Sequence, residues 1–309
     1  MSAGTVTTAR ASEATAAPPR HKVDLTNIAL TVWGVLVYVF LFLPIVMIVA
    51  FSFNKGRALL AWEGFGFDWY KGLPHNDVIL GTISTSLKAA VGAAVIATVL
   101  GSLAGIALAR RPGKWTILFM ALVFLVLVTP EIVDAISLLI WYVRIKGPFA
   151  PVPGGGTDLL HPVNYGLLRL WVGHALFATA VVTLIVRARL AGLDESLEEA
   201  AADLYASPWR TFRQITLPLM LPAVLAGALL SFSLSLDNTI ISTFVHGAGA
   251  TPWPVYVFSA VRSILRPEIA AASTLLLLLT LVALGLVALV LKRSGDSAED
   301  VARTMAGAG

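Results

Sequence analysis

Six stretches of this sequence stay apolar over about 20 residues or more: Ile28–Phe53, Ile79–Ala109, Trp115–Tyr142, Leu167–Val186, Leu217–Val245 and Ile269–Leu291. A helix needs about 20 mostly apolar residues to cross the hydrocarbon core of a bilayer. No water is present there to satisfy backbone N–H and C=O groups, so each crossing segment must close its own hydrogen bonds. The pattern predicts an all-α fold, a polytopic membrane bundle of about six transmembrane helices. The third and fifth runs are long and interrupted by polar residues, which leaves their ends open.

The composition agrees with lipid as the solvent. Hydrophobic residues make up 57% of the 309 and charged residues 13%, where a soluble domain carries about 25% charged. This excludes an ordinary soluble enzyme, a disordered protein and a nucleic-acid binder with a broad basic face. The chain has no cysteine, which removes disulfides, thiol catalysis and cysteine-ligated metal sites. Gly113-Lys114 is followed by Trp115 and lacks the upstream glycine of a phosphate-binding loop. The five histidines (21, 75, 161, 174 and 246) have no metal-ligand spacing, so no metal site is expected and His174 reads as a packing or hydrogen-bonding residue.

Residues 1–27 are rich in Ala, Thr and Ser, with Pro18-Pro19, and read as a disordered tail. The apolar run that follows is too long for the 7–15-residue core of a signal peptide and reads as an uncleaved first span. With the N-terminus inside, 13 Lys and Arg fall in the inner segments and 8 in the outer ones, while Lys88 lies in the second span. The positive-inside bias then places both termini in the cytoplasm. The longest outer segments are Asn54–Val78 and Val143–Gly166, the latter broken by Pro148, Pro151, Pro153 and Gly154-Gly155-Gly156. Neither can house a soluble domain, so any ligand-capturing domain or motor is another chain.

Within the second span, Ala89, Ala93, Ala97, Gly101, Gly105 and Ala109 recur every fourth residue. Such a stripe lets helices approach closely, either inside one subunit or at a dimer seam. Glu131, Asp134 and Asp237 sit in apolar segments. An acid at the centre of a spanning helix costs about 2.5–3.5 kcal/mol on insertion, against roughly 0.3–0.6 kcal/mol returned by each leucine. These acids should face a partner or a wet cavity. Glu131 and Asp134 are three apart and share a helix face; Pro130 just before them can kink the span. The acids mark either a path for a cationic solute or ion pairs with Lys88 or Arg144.

The segment between spans four and five carries the most specific pattern. Ser196-x-x-Glu199 fits a capping box. Leu197, Ala200, Ala201 and Leu204 follow at helical spacing on one face. Ser207-Pro208 opens a second short helix with serine as cap and proline at its first position. Its apolar residues are Trp209, Phe212 and Ile215, and Leu217-Pro218 leads into span five. Four Arg against five acids in 187–213 make a poor anchor for anionic lipid. The hairpin suits a protein groove better.

Glu199-Ala200-Ala201, with Ile215-x-Leu217-Pro218 downstream, resembles the EAA loop of permease subunits in bacterial binding-protein-dependent (type I) ABC importers. Where that motif carries glycine this chain has Tyr205. The resemblance runs from about Asp24 to Arg293. It is strongest to the spermidine/putrescine importer permeases, through Phe51-Ser-Phe-Asn54, Trp62-x-Gly64-Phe65, Trp69-Tyr70, Thr129-Pro-Glu-Ile-Val133, Ala135-Ile-Ser-Leu-Leu139, Phe232-Ser-Leu-Ser-Leu-Asp237 and Arg266-Pro-Glu268. Relatives often carry a second acid after the position of Asp237, where Asn238 stands here.

The resemblance implies a non-catalytic permease domain over residues 28–293, with an EAA loop at about 187–218 and cytoplasmic tails at 1–27 and 294–309. It implies no cofactor on this chain, ATP and Mg being held by a partner ATPase. The implied partners are a second permease, two ATP-binding subunits, an extracytoplasmic solute-binding protein and the lipid bilayer of the bacterial cytoplasmic membrane, with no nucleic acid. Glu199, Ala200, Ala201, Leu204 and Tyr205 are then expected at the ATPase, and Asp237, Glu131 and Asp134 along the solute path. Two other classes stay open on the residues alone. One is an ion-coupled secondary transporter acting without an ATPase, which would leave the hairpin without a role. The other is an intramembrane enzyme using Glu131 and Asp134, for which no accompanying His or Cys constellation is present.

Overall fold

The computed structural model describes residues 25–56, 61–111, 113–145, 165–262 and 266–293. The tails expected at 1–27 and 294–309 fall outside these residues apart from 25–27, as does most of the proline- and glycine-rich loop. Two compact units are distinguished, one ending at Met47 and one beginning at Ile48. The first consists, among the described residues, of most of helix α1 (Leu25–Phe51), with Pro44 inside it and the Tyr38 and Phe42 rings stacked 6.3 Å apart. Its residues are apolar all round, as lipid requires.

The second unit continues from the end of α1 through α2 (Asp68–Gly72), α3 (Asp77–Arg110), α4 (Lys114–Val128), α5 (Glu131–Ile145) and α6 (Tyr165–Ala191). Then come the short α7 (Ser196–Asp203) and α8 (Pro208–Thr211), a π-helical turn at Phe212–Thr216, α9 (Leu217–Asp237), α10 (Ile240–Val245), α11 (Trp253–Val261) and α12 (Pro267–Arg293). Among the described residues, five helical stretches are long and apolar enough to span a membrane, or six if the bent α4–α5 pair is one span.

The core is α3, α6 and α9 packed on one another. The small-residue stripe of α3 is what lets them meet. Ala89, Ala93, Ala97, Gly101 and Gly105 are all buried, and the stripe serves packing inside this subunit. A Cβ on Gly101 would lie 2.6 Å from Val182 Cβ and 2.9 Å from the Thr179 carbonyl oxygen, and one on Gly105 would lie 2.9 Å from Val186 Cβ. Only hydrogen fits where the two backbones approach so closely. Val182, Val186, Leu190 and Met220 complete the cluster beside these glycines.

Two expected spans are interrupted. Trp115–Tyr142 is not one helix: α4 and α5 meet at 105°. Proline has no N–H to continue the ladder, and it disfavours helical backbone in the residue before it. Thr129 accordingly takes φ −62°, ψ 130°. The fifth span ends at Asp237 rather than Val245, because Asn238 leaves the helix at φ −67°, ψ 101°. Arg169, near the start of the fourth expected span, lies within α6 and is buried, its guanidinium 5.5 Å from the Tyr142 ring and 5.2 Å from the Tyr165 ring.

Replacing Gly101 by leucine should destabilise the bundle by about 1–3 kcal/mol, the range for overpacking a filled core. The purified protein in detergent should show a lower thermal midpoint. A wild-type midpoint would mean that α3 and α6 are not held at the observed separation.

Candidate functional site

The two interruptions meet. Glu131 and Asp134, in the first turn of α5, line a cavity of about 440 Å³ together with Asp237 at the end of α9 and His174 and Phe177 of α6. The three acids singled out from sequence are thus brought to one place. Among the described residues neither Lys88 nor Arg144 forms an ion pair with any of them. Glu131 accepts a hydrogen bond from Asn238 Nδ2. The Oδ1 of Asn238 accepts from the Ser242 amide at 3.3 Å. One side chain thereby ties the break between α9 and α10 to the break between α4 and α5.

His174 is buried behind this surface, with Nδ1 2.6 Å from Ser235 Oγ and Nε2 3.0 Å from Ser242 Oγ. It is a hydrogen-bonding residue, as its sequence context suggested, and it fixes α9 and α10 against α6. Among the described residues no group of three or more His, Asp or Glu is placed to hold a metal ion. The arrangement places three carboxyl groups around one cavity, the kind of setting in which intramembrane acids are tolerated.

The hairpin lies at the other end of α9. Its capping differs from the sequence expectation. Ser196 is the first helical residue rather than the cap, and Glu195 at the cap position makes no side-chain cap bond. The Asp194 carboxylate instead accepts from the Ser196 amide at 2.9 Å. That amide, with the Ser196 hydroxyl, holds Asp194 below the usual carboxylate range. An acid two residues before the first free N–H competes with the serine for the same donors.

The expected apolar face is divided as well. Ala201 turns inward, whereas Leu197, Ala200 and Leu204 are exposed together with Tyr205 and Trp209. Of the neighbouring acids, Glu199 is exposed and Glu198 points into the protein. Glu198 accepts from Arg110 Nη2 at 3.0 Å and from Thr216 Oγ1 at 2.8 Å, and Arg110 Nη1 also pairs with Glu195 at 2.8 Å. This junction was not read from sequence: Arg110 and Glu198 are 88 positions apart, and no local spacing links them.

At Tyr205 the backbone takes φ 57°, so the position is left-handed although its residue is not glycine. The Ala206 amide bonds the Ala201 carbonyl at 3.0 Å and the Tyr205 amide bonds the Ala202 carbonyl at 2.9 Å. These two bonds make a Schellman cap, whose left-handed position normally holds glycine. The turn of the motif is therefore kept, at a steric cost of about 1–2 kcal/mol. Tyr205→Gly should relieve about 1 kcal/mol of it. Slower hydrogen exchange at residues 205 and 206 would report the gain; faster exchange would contradict it.

Residues 97–296 match the family described as the inner membrane component of binding-protein-dependent transport systems. The putrescine transport system permease protein PotI of Escherichia coli K12 is 38% identical over 242 residues, covering 78% of this chain and 82% of that protein. The spermidine/putrescine transport system permease protein PotC of Haemophilus influenzae is 35% identical over 258 residues, covering 84% and 94%. In fold, a chain from the crystal structure of a bacterial alginate ABC transporter, in complex with its alginate pentasaccharide-bound periplasmic protein, superposes with a TM-score of 0.63. The two are 13% identical, and the match covers 87% of this chain and 94% of that one. The secondary-transporter alternative finds no support in these relationships. The chain belongs to the family of binding-protein-dependent transport system inner membrane components, and it is a multi-pass, non-catalytic permease subunit of an ABC importer.

Proposed function

We propose that this permease forms half of a path for a polyamine or another small cationic solute. The observation that carries the reading is the convergence of Glu131, Asp134 and Asp237 on one cavity. Each ammonium group of a polyamine sheds water on entering the membrane and needs a carboxylate in exchange. Phe177 adds an aromatic ring to the same lining, a group whose face attracts cations. The names of the similar relatives, PotI and PotC, point the same way.

Residues 28–293 form the permease domain in this reading, with the tails 1–27 and 294–309 and the hairpin on the cytoplasmic side of the bacterial inner membrane. A second, homologous permease completes the path, and an extracytoplasmic binding protein delivers the solute. Two ATP-binding subunits hold ATP and Mg and receive the hairpin through Glu199, Ala200, Ala201, Leu204 and Tyr205. The exposure of Leu204 and Tyr205, 82% and 97%, with Leu197 and Trp209 also exposed in the same hairpin, supports docking there, since grouped exposed apolar side chains mark interaction surfaces. ATP-driven closure of the ATPase pair would move the permease pair from inward-open to outward-open as packed rigid bodies.

The test is reconstitution of the chain with its neighbouring subunits and measurement of ATP-dependent uptake of labelled putrescine and spermidine. Asp237→Asn keeps the volume and removes the charge, and should lower uptake about tenfold or more, the value of one charge-assisted hydrogen bond. Uptake at the wild-type rate would make Asp237 structural. Glu199→Arg should abolish co-purification of the ATPase while leaving membrane insertion intact. Normal ATPase binding with normal uptake would withdraw the docking role.

A further inference from the structure

Hairpin helix α7 is only two turns long, and Ala201 is its one buried residue. So small a contact cannot carry a displacement into the bundle. What fastens α7 is Glu198. Its carboxylate holds Arg110, the last residue of α3, and Thr216, the last residue of the π-turn directly before α9. The two anchor points lie on the helices that, with α6, make the core. Helix α9 then runs its 21 residues to Asp237 at the cavity, a rise of about 31 Å.

We propose that Glu198 is the positioning residue that transmits movement of the hairpin to the solute cavity, through Arg110 to α3 and through Thr216 to α9. The proposal rests on the reading of the hairpin as the ATPase-docking element. Glu198 and Glu199 divide the work between them: Glu199 faces outward to the partner, and Glu198 faces inward to the bundle.

Burial separates the Glu198 link from ordinary surface pairing. The side chain of Glu198 is 27% exposed and that of Arg110 16%, while Glu195, the other acid on Arg110, is 68% exposed. An exposed pair adds little and yields readily to salt. A sheltered, charge-assisted pair that also accepts from a buried hydroxyl resists separation. Displacing α7 must therefore either break these bonds or carry α3 and α9 with it. The joint also has room to turn. A cavity of about 320 Å³ adjoins it, lined by Ile106, Ala206 and Phe212 beside the bridge residues. The chain passes it as a π-turn, a local widening of the helix often found at functional positions.

The experiment uses the absence of cysteine from this chain. In the assembled complex with the second permease and the ATPase, Thr239→Cys places one thiol on this chain at the cavity. Its labelling by a membrane-impermeant maleimide is measured with and without ATP, alongside ATP hydrolysis. The ATP-dependent change in labelling rate should fall about tenfold in Glu198→Gln, within the usual range of coupling energies. Hydrolysis and ATPase association should persist. Thr216→Val, which removes a single hydroxyl, should act in the same direction, and Glu195→Gln should not.

A full ATP-dependent change in both Glu198→Gln and Thr216→Val would overturn the proposal. So would a loss of labelling change that only tracks lost hydrolysis or lost assembly. No ATP-dependent change in the Thr239→Cys background itself would remove the moving cavity and the proposed function with it. Normal ATPase binding with normal uptake in Glu199→Arg would remove the docking reading, whereas a failure confined to Glu198 and Thr216 leaves that reading in place.

Discussion

The core of the second unit is built on the close approach of α3 and α6. Lipid supplies little hydrophobic drive for helices to associate, so packing must do it. Gly101 and Gly105 remove the side chains that would keep the backbones apart, and Val182 and Val186 fill the space left. Helix α9 then lays Gly227 against Val182 from the other side. The three helices form a fixed frame, and the less regular parts of the chain are hung on it.

Those irregular parts are the two broken helices. Backbone that leaves a helix at membrane depth needs partners from protein or from a water-filled cavity. Pro130 and Asn238 create two such places, and the fold sets them side by side. Asn238 links them directly, and His174 with Ser235 and Ser242 secures the surrounding helices. The polar lining is a consequence of the breaks.

How much of this was legible in the sequence depends on the range of the interaction. The spans were legible because hydropathy acts on every residue of a run. The stripe on α3 was legible because its period is that of a helix. The Pro130 bend was visible as a proline within an apolar run, but its angle was not, since only packing decides it. The three acids were picked out singly by their insertion cost, while their convergence required the fold. The hairpin was recognisable by Glu199-Ala200-Ala201 and Leu217-Pro218. Its inner anchor at Glu198 was hidden beside a more conspicuous acid, and the partner that identifies it comes from another helix. The capping box at Ser196 was a local pattern overruled by Asp194, an equally local competitor.

Tyr205 keeps the backbone shape of the motif and changes its surface. A partner groove moulded around glycine at this point leaves no volume for a phenol ring. If the hairpin seats in an ATPase with this turn toward the partner, the docking surface has to accommodate the ring. A bacterium that runs several importers of this family at once faces the problem of motors wandering between systems. In the proposed docking, the exposed ring of Tyr205 is a contact by which this permease would tell its own motor from another.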